Sequence, residues 1–142
     1  MVVNYDNMLR IFNECNERYF GGKLPVPYLN TMSKLDKLAR FEYNIDKGNV
    51  KHPIKWQEIK LSDCYEYSED EFRDIMLHEM IHYYLAWNGI RDNGSHGKEF
   101  IRLMEDLNVR YGFHIVIRQD VSLLKRSGKK PKRGGLLGFL FG

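Results

Sequence analysis

Cysteine is scarce in this chain of 142 residues, Cys15 and Cys64 being the only two. Two thiols cannot build a disulfide framework or a four-thiolate zinc site, so any metal site has to rest on histidine or carboxylate. Both are read as buried thiols. Long apolar runs are missing too: the longest spans a few residues, far short of the ~20 that cross a bilayer. The opening MVVNYDNMLR lacks the basic-then-apolar layout of a secretory signal. The expectation is a soluble, cytoplasmic protein. Acidic residues are absent from one stretch. Residues 125–142 contain Lys125, Arg126, Lys129, Lys130, Lys132 and Arg133 without a single Asp or Glu, which leaves residues 1–124 with 16 basic and 19 acidic residues, net −3. The overall charge of +3 is therefore a property of the tail.

What the chain does have is enough apolar material, 43% with 13% aromatic, for one core, and 29% charged residues to coat it. A single domain over residues 1–124 is expected, followed by a basic, flexible tail over 125–142. Met8, Ile11, Phe12, Cys15, Tyr19 and Phe20 recur at spacings of three and four between Asn7 and Phe20, the stripe of an amphipathic helix that Gly21-Gly22 ends. Tyr28–Ser33, Ala39–Asn44 and Ile54–Leu61 read as three strands of a small antiparallel sheet, broken by prolines and the Asp46-Lys47-Gly48-Asn49 turn. Ser68-Glu69-Asp70-Glu71 combines a capping serine with a glutamate three residues on, and so starts a second helix running to about Trp87. A third helix is expected from about His96 to Val109, and a short last strand over His114–Ile117.

The second helix holds the sequence His78-Glu79-Met80-Ile81-His82. At 100° per residue, His82 lies about 40° and Glu79 about 100° round from His78, so the three polar groups share one sector. Met76, Leu77, Met80, Ile81, Tyr84, Leu85 and Trp87 occupy most of the remaining girth, broken only near the helix start by Arg73 and Asp74. A helix this apolar is buried, and buried imidazoles beside a carboxylate need partners. A zinc ion meets that need: two imidazoles one turn apart can reach one ion at ~2.0–2.1 Å while the intervening glutamate reaches water. A catalytic zinc takes a third protein ligand. Asp92, His96, Glu99, Glu105, Asp106 and His114 all follow His82. His96 is favoured because a short loop returns the chain there and imidazole is the commonest zinc ligand, with Glu99, one turn later, as the alternative.

Four segments carry a more specific pattern. Phe12-Asn13 with Tyr19-Phe20-Gly21-Gly22-Lys23-Leu24-Pro25, then Ile59-Lys60-Leu61-Ser62, then Leu77 to His82, then Ser95-His96-Gly97-Lys98-Glu99-Phe100, together resemble the SprT-like family of zinc metallopeptidases, which includes the eukaryotic DNA–protein crosslink protease Spartan. The resemblance covers about residues 10–108. It implies an α+β, zincin-like fold: an N-terminal helix, a small sheet, an active-site helix with the H-E-x-x-H run, and a following helix bearing the third ligand. It also implies zinc on His78, His82 and His96, with Glu79 as the catalytic base. The cysteine-rich ribbon that follows this domain in many members has no counterpart here, and a mid-sheet glycine common in the family is not evident in Leu38-Ala39-Arg40-Phe41. The metzincin pattern does not fit, since Leu85 and Asn88 stand where its glycine and third histidine would be.

The function expected is a zinc-dependent peptidase that cuts flexible or unfolded protein segments, with DNA-associated proteins among the candidate substrates. An extended substrate would lie along an edge strand of the sheet. The alternative is a nucleic-acid-associated zinc protein whose metal is structural, or whose peptidase activity is conditional. The tail cations Lys125, Arg126, Lys129, Lys130, Lys132 and Arg133 are the candidate DNA contacts. For an oxyanion donor, Tyr83, Tyr84, Arg91 and Tyr111 are available and spacing favours none. His52 and His114 are read as packing or surface residues.

Overall fold

Helix formation begins at Asn4, whose side chain accepts a hydrogen bond from the Asn7 amide and caps α1 (Tyr5–Tyr19). In this computed structural model, which describes residues 1–91 and 96–132, the expected stripe of α1 buries Met8, Ile11, Phe12 and Cys15. The helix stops where Gly21 and Gly22 both adopt φ of +66°, a conformation that suits glycine. Asn16, buried near the end of α1, grips the departing chain: its Nδ2 donates to the Leu24 carbonyl at 2.9 Å and its Oδ1 accepts from the Leu24 amide at 3.2 Å.

Three strands follow, β1 (Tyr28–Met32), β2 (Ala39–Ile45) and β3 (Ile54–Ser62). Their positions match the sequence expectation to within a residue, but their directions do not. The sheet is mixed, with order β1-β3-β2: β3 pairs antiparallel with β2 and parallel with β1. The reason is geometric. The chain reverses at each loop, so β1 and β2 run in opposite directions, and β3 enters the space between them, where it must be parallel to the first strand. Leu29, Ile59 and Leu61 point to the core. The ladder shifts register between Tyr43 and Asn44, leaving Trp56 unpaired at φ 52° as the extra residue of a bulge. With β3 in the middle, β2 is an edge.

The capping box is formed in full. Ser68 Oγ accepts from the Glu71 amide at 3.1 Å, and the Glu71 carboxylate accepts from the Ser68 amide at 2.7 Å, at the head of α2 (Glu69–Trp87). α2 buries Phe72, Ile75, Met76, Leu77, Met80, Ile81, Tyr83 and Leu85, a spread round much of its circumference. It can be so apolar because α1, α3 (Lys98–Tyr111), β2 and β3 all pack against it. α3 begins two residues after His96, with Gly97 as its extended cap, so the third histidine precedes the helix rather than standing on it.

No ladder forms over His114–Ile117; the expected strand is an irregular segment that bends at Ile117. Its backbone groups go to side chains instead. Ile115 exchanges two hydrogen bonds with the Asn108 amide, the His114 amide donates to Asp74, and the Val116 carbonyl accepts from His78. The second small sheet lies elsewhere, β4 (Tyr65–Glu66) pairing with β5 (Lys125–Arg126). Of the basic stretch, residues 125–132 lie along the domain: the Ser127 amide donates to the Cys64 carbonyl, the Lys132 amide to the Ser33 carbonyl, and Lys129 Nζ meets Asp63 at 2.7 Å. Arg133 and the apolar Leu136–Gly142 end fall outside the described residues. No helix among the described residues is long and apolar enough to cross a membrane.

The start of α2 offers a check. Ser68→Ala removes one half of the capping box and is expected to cost about 1 kcal/mol, which thermal unfolding of a domain this size reads as a drop of roughly 2–4 °C. An unchanged midpoint would mean that the box adds nothing to the fold.

Candidate metal centre

Helical geometry places His78 and His82 one turn apart on α2, and the loop before α3 returns His96 to them. The ring centroids form a nearly equilateral triangle with sides of 5.1 Å (His78–His82), 4.9 Å (His78–His96) and 5.1 Å (His82–His96). One nitrogen from each ring can be chosen so that all three lie within 4.8 Å of one another. Phe100, fully buried one turn into α3, is the surface on which the rings rest, with its centroid 4.5–4.9 Å from each of theirs. Phe100 was legible as part of the α3 apolar stripe, though not as the support of the histidines.

The donor chemistry suits a cation. His78 Nδ1 lies 2.8 Å from the Val116 carbonyl, which can only accept, so Nδ1 carries the proton and Nε2 keeps its lone pair. That Nε2 faces His96 Nε2 at 3.1 Å. Two ligand nitrogens held tetrahedrally on zinc at ~2.0–2.1 Å stand roughly 3.3 Å apart, close to this spacing. Burial, reinforced by the neighbouring His82 and His96, pushes the His78 imidazole down to about 4, so the ring is neutral at physiological pH. Neutral imidazoles converging on one point are what a divalent ion of the zinc type requires. Among the described residues the group has three members, with no fourth His, Cys or carboxylate in reach.

The rival ligand Glu99 is engaged elsewhere, its carboxylate paired with Arg102 on the same helix. Asp92 lies outside the described residues. Glu105 and Asp106 stand further along α3 and are not in the group, nor is His114.

The histidines open on a cleft of about 1010 Å³, whose wall also includes Glu79, Phe41 and Tyr43 of β2, and residues 114 and 116–119. Glu79 is only 6% exposed. Burial pushes its carboxyl up to about 7, against the opposing charge of Lys37 in the β1–β2 loop. The wall formed after α3 was missed by sequence reasoning, which placed His114 outside the site. No motif marks it, because its contribution to His78 is a backbone carbonyl.

Of the four oxyanion candidates, Arg91 alone lines the cleft. Tyr83 is buried and donates to the Pro25 carbonyl, Tyr84 packs on Phe20, and Tyr111 packs on Tyr19 and Phe113. His52 stacks on Trp87 at 4.1 Å and bonds its carbonyl, a packing role. Among the tail cations, Lys125 is paired with Glu66 and Lys129 with Asp63, while Arg126 sits over the Tyr65 ring at 5.8 Å.

The H-E-x-x-H run of α2 and a third histidine brought in from a following segment form a group that could hold a metal ion. A family model described as the SprT-like family matches residues 8–119, and the chain belongs to that family. Comparison with curated proteins gives no match.

The two shifted groups make opposite contributions to the stability of the metal-free protein. The folded His78 imidazole has its value lowered from 6.5 to about 4, so the unfolded chain binds the extra proton and stability falls as pH drops through that window. The Glu79 carboxyl is raised from 4.5 to about 7, so the folded state holds the extra proton and stability is lost as pH rises through that window. Each slope can reach about 1.4 kcal/mol per pH unit. Glu79→Gln removes only the second. Denaturant unfolding in chelator should therefore find the variant gaining on the wild type by at least about 1 kcal/mol between pH 5 and pH 7. A constant difference would contradict the buried carboxyl.

Proposed function

We propose that this chain is a zinc-dependent metallopeptidase of the SprT-like type, hydrolysing peptide bonds in flexible or unfolded protein segments. The observation that carries the reading is the convergence of His78, His82 and His96 on one point in a cleft that Glu79 also lines, in a chain of this family. His78, His82 and His96 would hold the ion. When bound, zinc would supply a Lewis acid that brings the pKa of water toward ~7 and polarises the scissile carbonyl.

The chain's own residues supply the remaining chemistry. Glu79, whose buried carboxyl titrates near neutrality, is suited to take a proton from the attacking water at its Oε atoms and to pass it to the leaving amine. β2 is the sheet edge beside the cleft, and an extended chain can add to such an edge through backbone hydrogen bonds. Phe41 and Tyr43 would then lie beneath alternate side chains of the bound segment. Only a substrate free to become extended can bind this way, hence the preference for unfolded segments. A zincin-like arrangement, with sheet edge and metal helix flanking one cleft, is the architecture this reading requires. The set of three histidines favours a catalytic over a structural ion, because a structural zinc takes four protein ligands.

Elemental analysis and a cleavage assay test the reading together. The wild type should hold one zinc per chain; His96→Ala should lose it and Glu99→Ala should keep it. Glu79→Gln should retain zinc while cleavage of unfolded casein falls by at least about 100-fold, the range general-base removal produces. Metal retained by His96→Ala, or full activity in Glu79→Gln, would refute the assignment.

A further inference from the structure

The orientation of His78 depends on a carbonyl that nothing in a regular ladder holds. Val116 belongs to an irregular segment that pairs with no strand among the described residues and is itself 43% exposed, yet its carbonyl lies 2.8 Å from His78 Nδ1. What fixes this segment is Asn108, three residues before the end of α3. Its Nδ2 donates to the Ile115 carbonyl at 2.9 Å and its Oδ1 accepts from the Ile115 amide at 2.9 Å. A primary amide has the donor and acceptor of a peptide group, so Asn108 acts as a one-residue strand partner for Ile115. The Ile115 side chain is buried, and the preceding amide, that of His114, lies 3.4 Å from Asp74 Oδ2, one turn before His78 on α2.

We propose that Asn108 is a positioning residue for the three-histidine centre, holding the 114–116 segment so that the Val116 carbonyl sets the ring orientation and tautomer of His78. The proposal rests on the metal reading above. Its physical content is a coupling through α3. The start of that helix adjoins His96, and its last turn, by way of Asn108 and the Val116 carbonyl, orients His78. One rigid element thereby fixes the relation between two rings that face each other at 3.1 Å. Without a fixed acceptor, the imidazole can turn about its last torsion and move its proton to Nε2, which removes the lone pair from the centre of the triangle. Groups that orient a ligand histidine are worth 10–100-fold in metal affinity. Asn108 acts one residue removed from the carbonyl, so the lower end, about tenfold, is expected.

A control is built into the fold. Asn16 makes the same pair of hydrogen bonds to Leu24, and neither residue lines the cleft of the histidines. The experiment compares Asn108→Ala, Asn16→Ala and the wild type in two measurements. Long-range nitrogen–proton correlation spectra of the histidine rings in the metal-free proteins at neutral pH read the His78 tautomer. Competition titration with a zinc chelator reads the affinity. The Nδ1–H form should dominate in the wild type and in Asn16→Ala, whereas Asn108→Ala should show a mixture with Nε2–H and about tenfold weaker zinc binding. If Asn108→Ala does not fold, Asn108→Ser, which keeps an acceptor for the Ile115 amide, carries the same measurements. A wild-type tautomer in the Asn108 variant, or an equal change in Asn16→Ala, overturns the proposal. Failure of the wild type to bind zinc would instead overturn the metal reading, while the tautomer still decides the role of Asn108.

Discussion

Bringing three imidazoles to one point inside a protein is unfavourable unless something is shared among them, and the architecture around α2 is organised by that requirement. Helical pitch brings two of the rings one turn apart, and the Val116 carbonyl orients that of His78. The third has to be returned across a loop, and the protein meets that need by seating all three on the Phe100 ring. Phe100 is held by its burial between α2 and α3, so the packing of these helices and the geometry of the polar cluster are the same fact seen from two sides. Imidazole nitrogens left without a partner are costly to bury; a hydrogen bond between His96 Nε2 and His78 Nε2 joins two of the rings at 3.1 Å, and a cation among all three would satisfy each.

Glu79 is subject to the same burial. A carboxyl with 6% exposure on a largely apolar stretch of α2 is tolerated because it opens on the cleft, and burial raises it to about 7. His78 is displaced in the opposite direction by the same desolvation. One environment thus yields a neutral imidazole and a carboxyl able to carry a proton, with no added charge needed to distinguish them.

Much of this was legible in the sequence where the signal was local. The stripe of α1, the capping box at Ser68, the apolar girth of α2 and the spacing of His78, Glu79 and His82 all follow from periodicity, and the structure contains each. The convergence of His96 came from ligand chemistry and from the family resemblance. What escaped was relational. Alternation within a strand tells which residues face the core but not which neighbour the strand will take, so the parallel pairing of β1 with β3 could not be read. The 112–119 segment escaped for a related reason. Its contributions are backbone groups held by Asn108, Asp74 and His78, and an asparagine near a helix end carries no sign of whether it will grip another chain segment. Asn16 makes the same contact with Leu24 and was equally silent.

The placement of β3 between its two predecessors constrains how the protein can be assembled. β1 has no strand to join until residues 54–62 exist, whereas β2 and β3 are separated by one short loop and can zip together locally. Residues 28–32 must therefore wait, as the ribosome delivers them, with their backbone amides satisfied by water while roughly thirty further residues are made. Their low share of buried side chains, Leu29 alone, suits a segment that spends that interval uncovered.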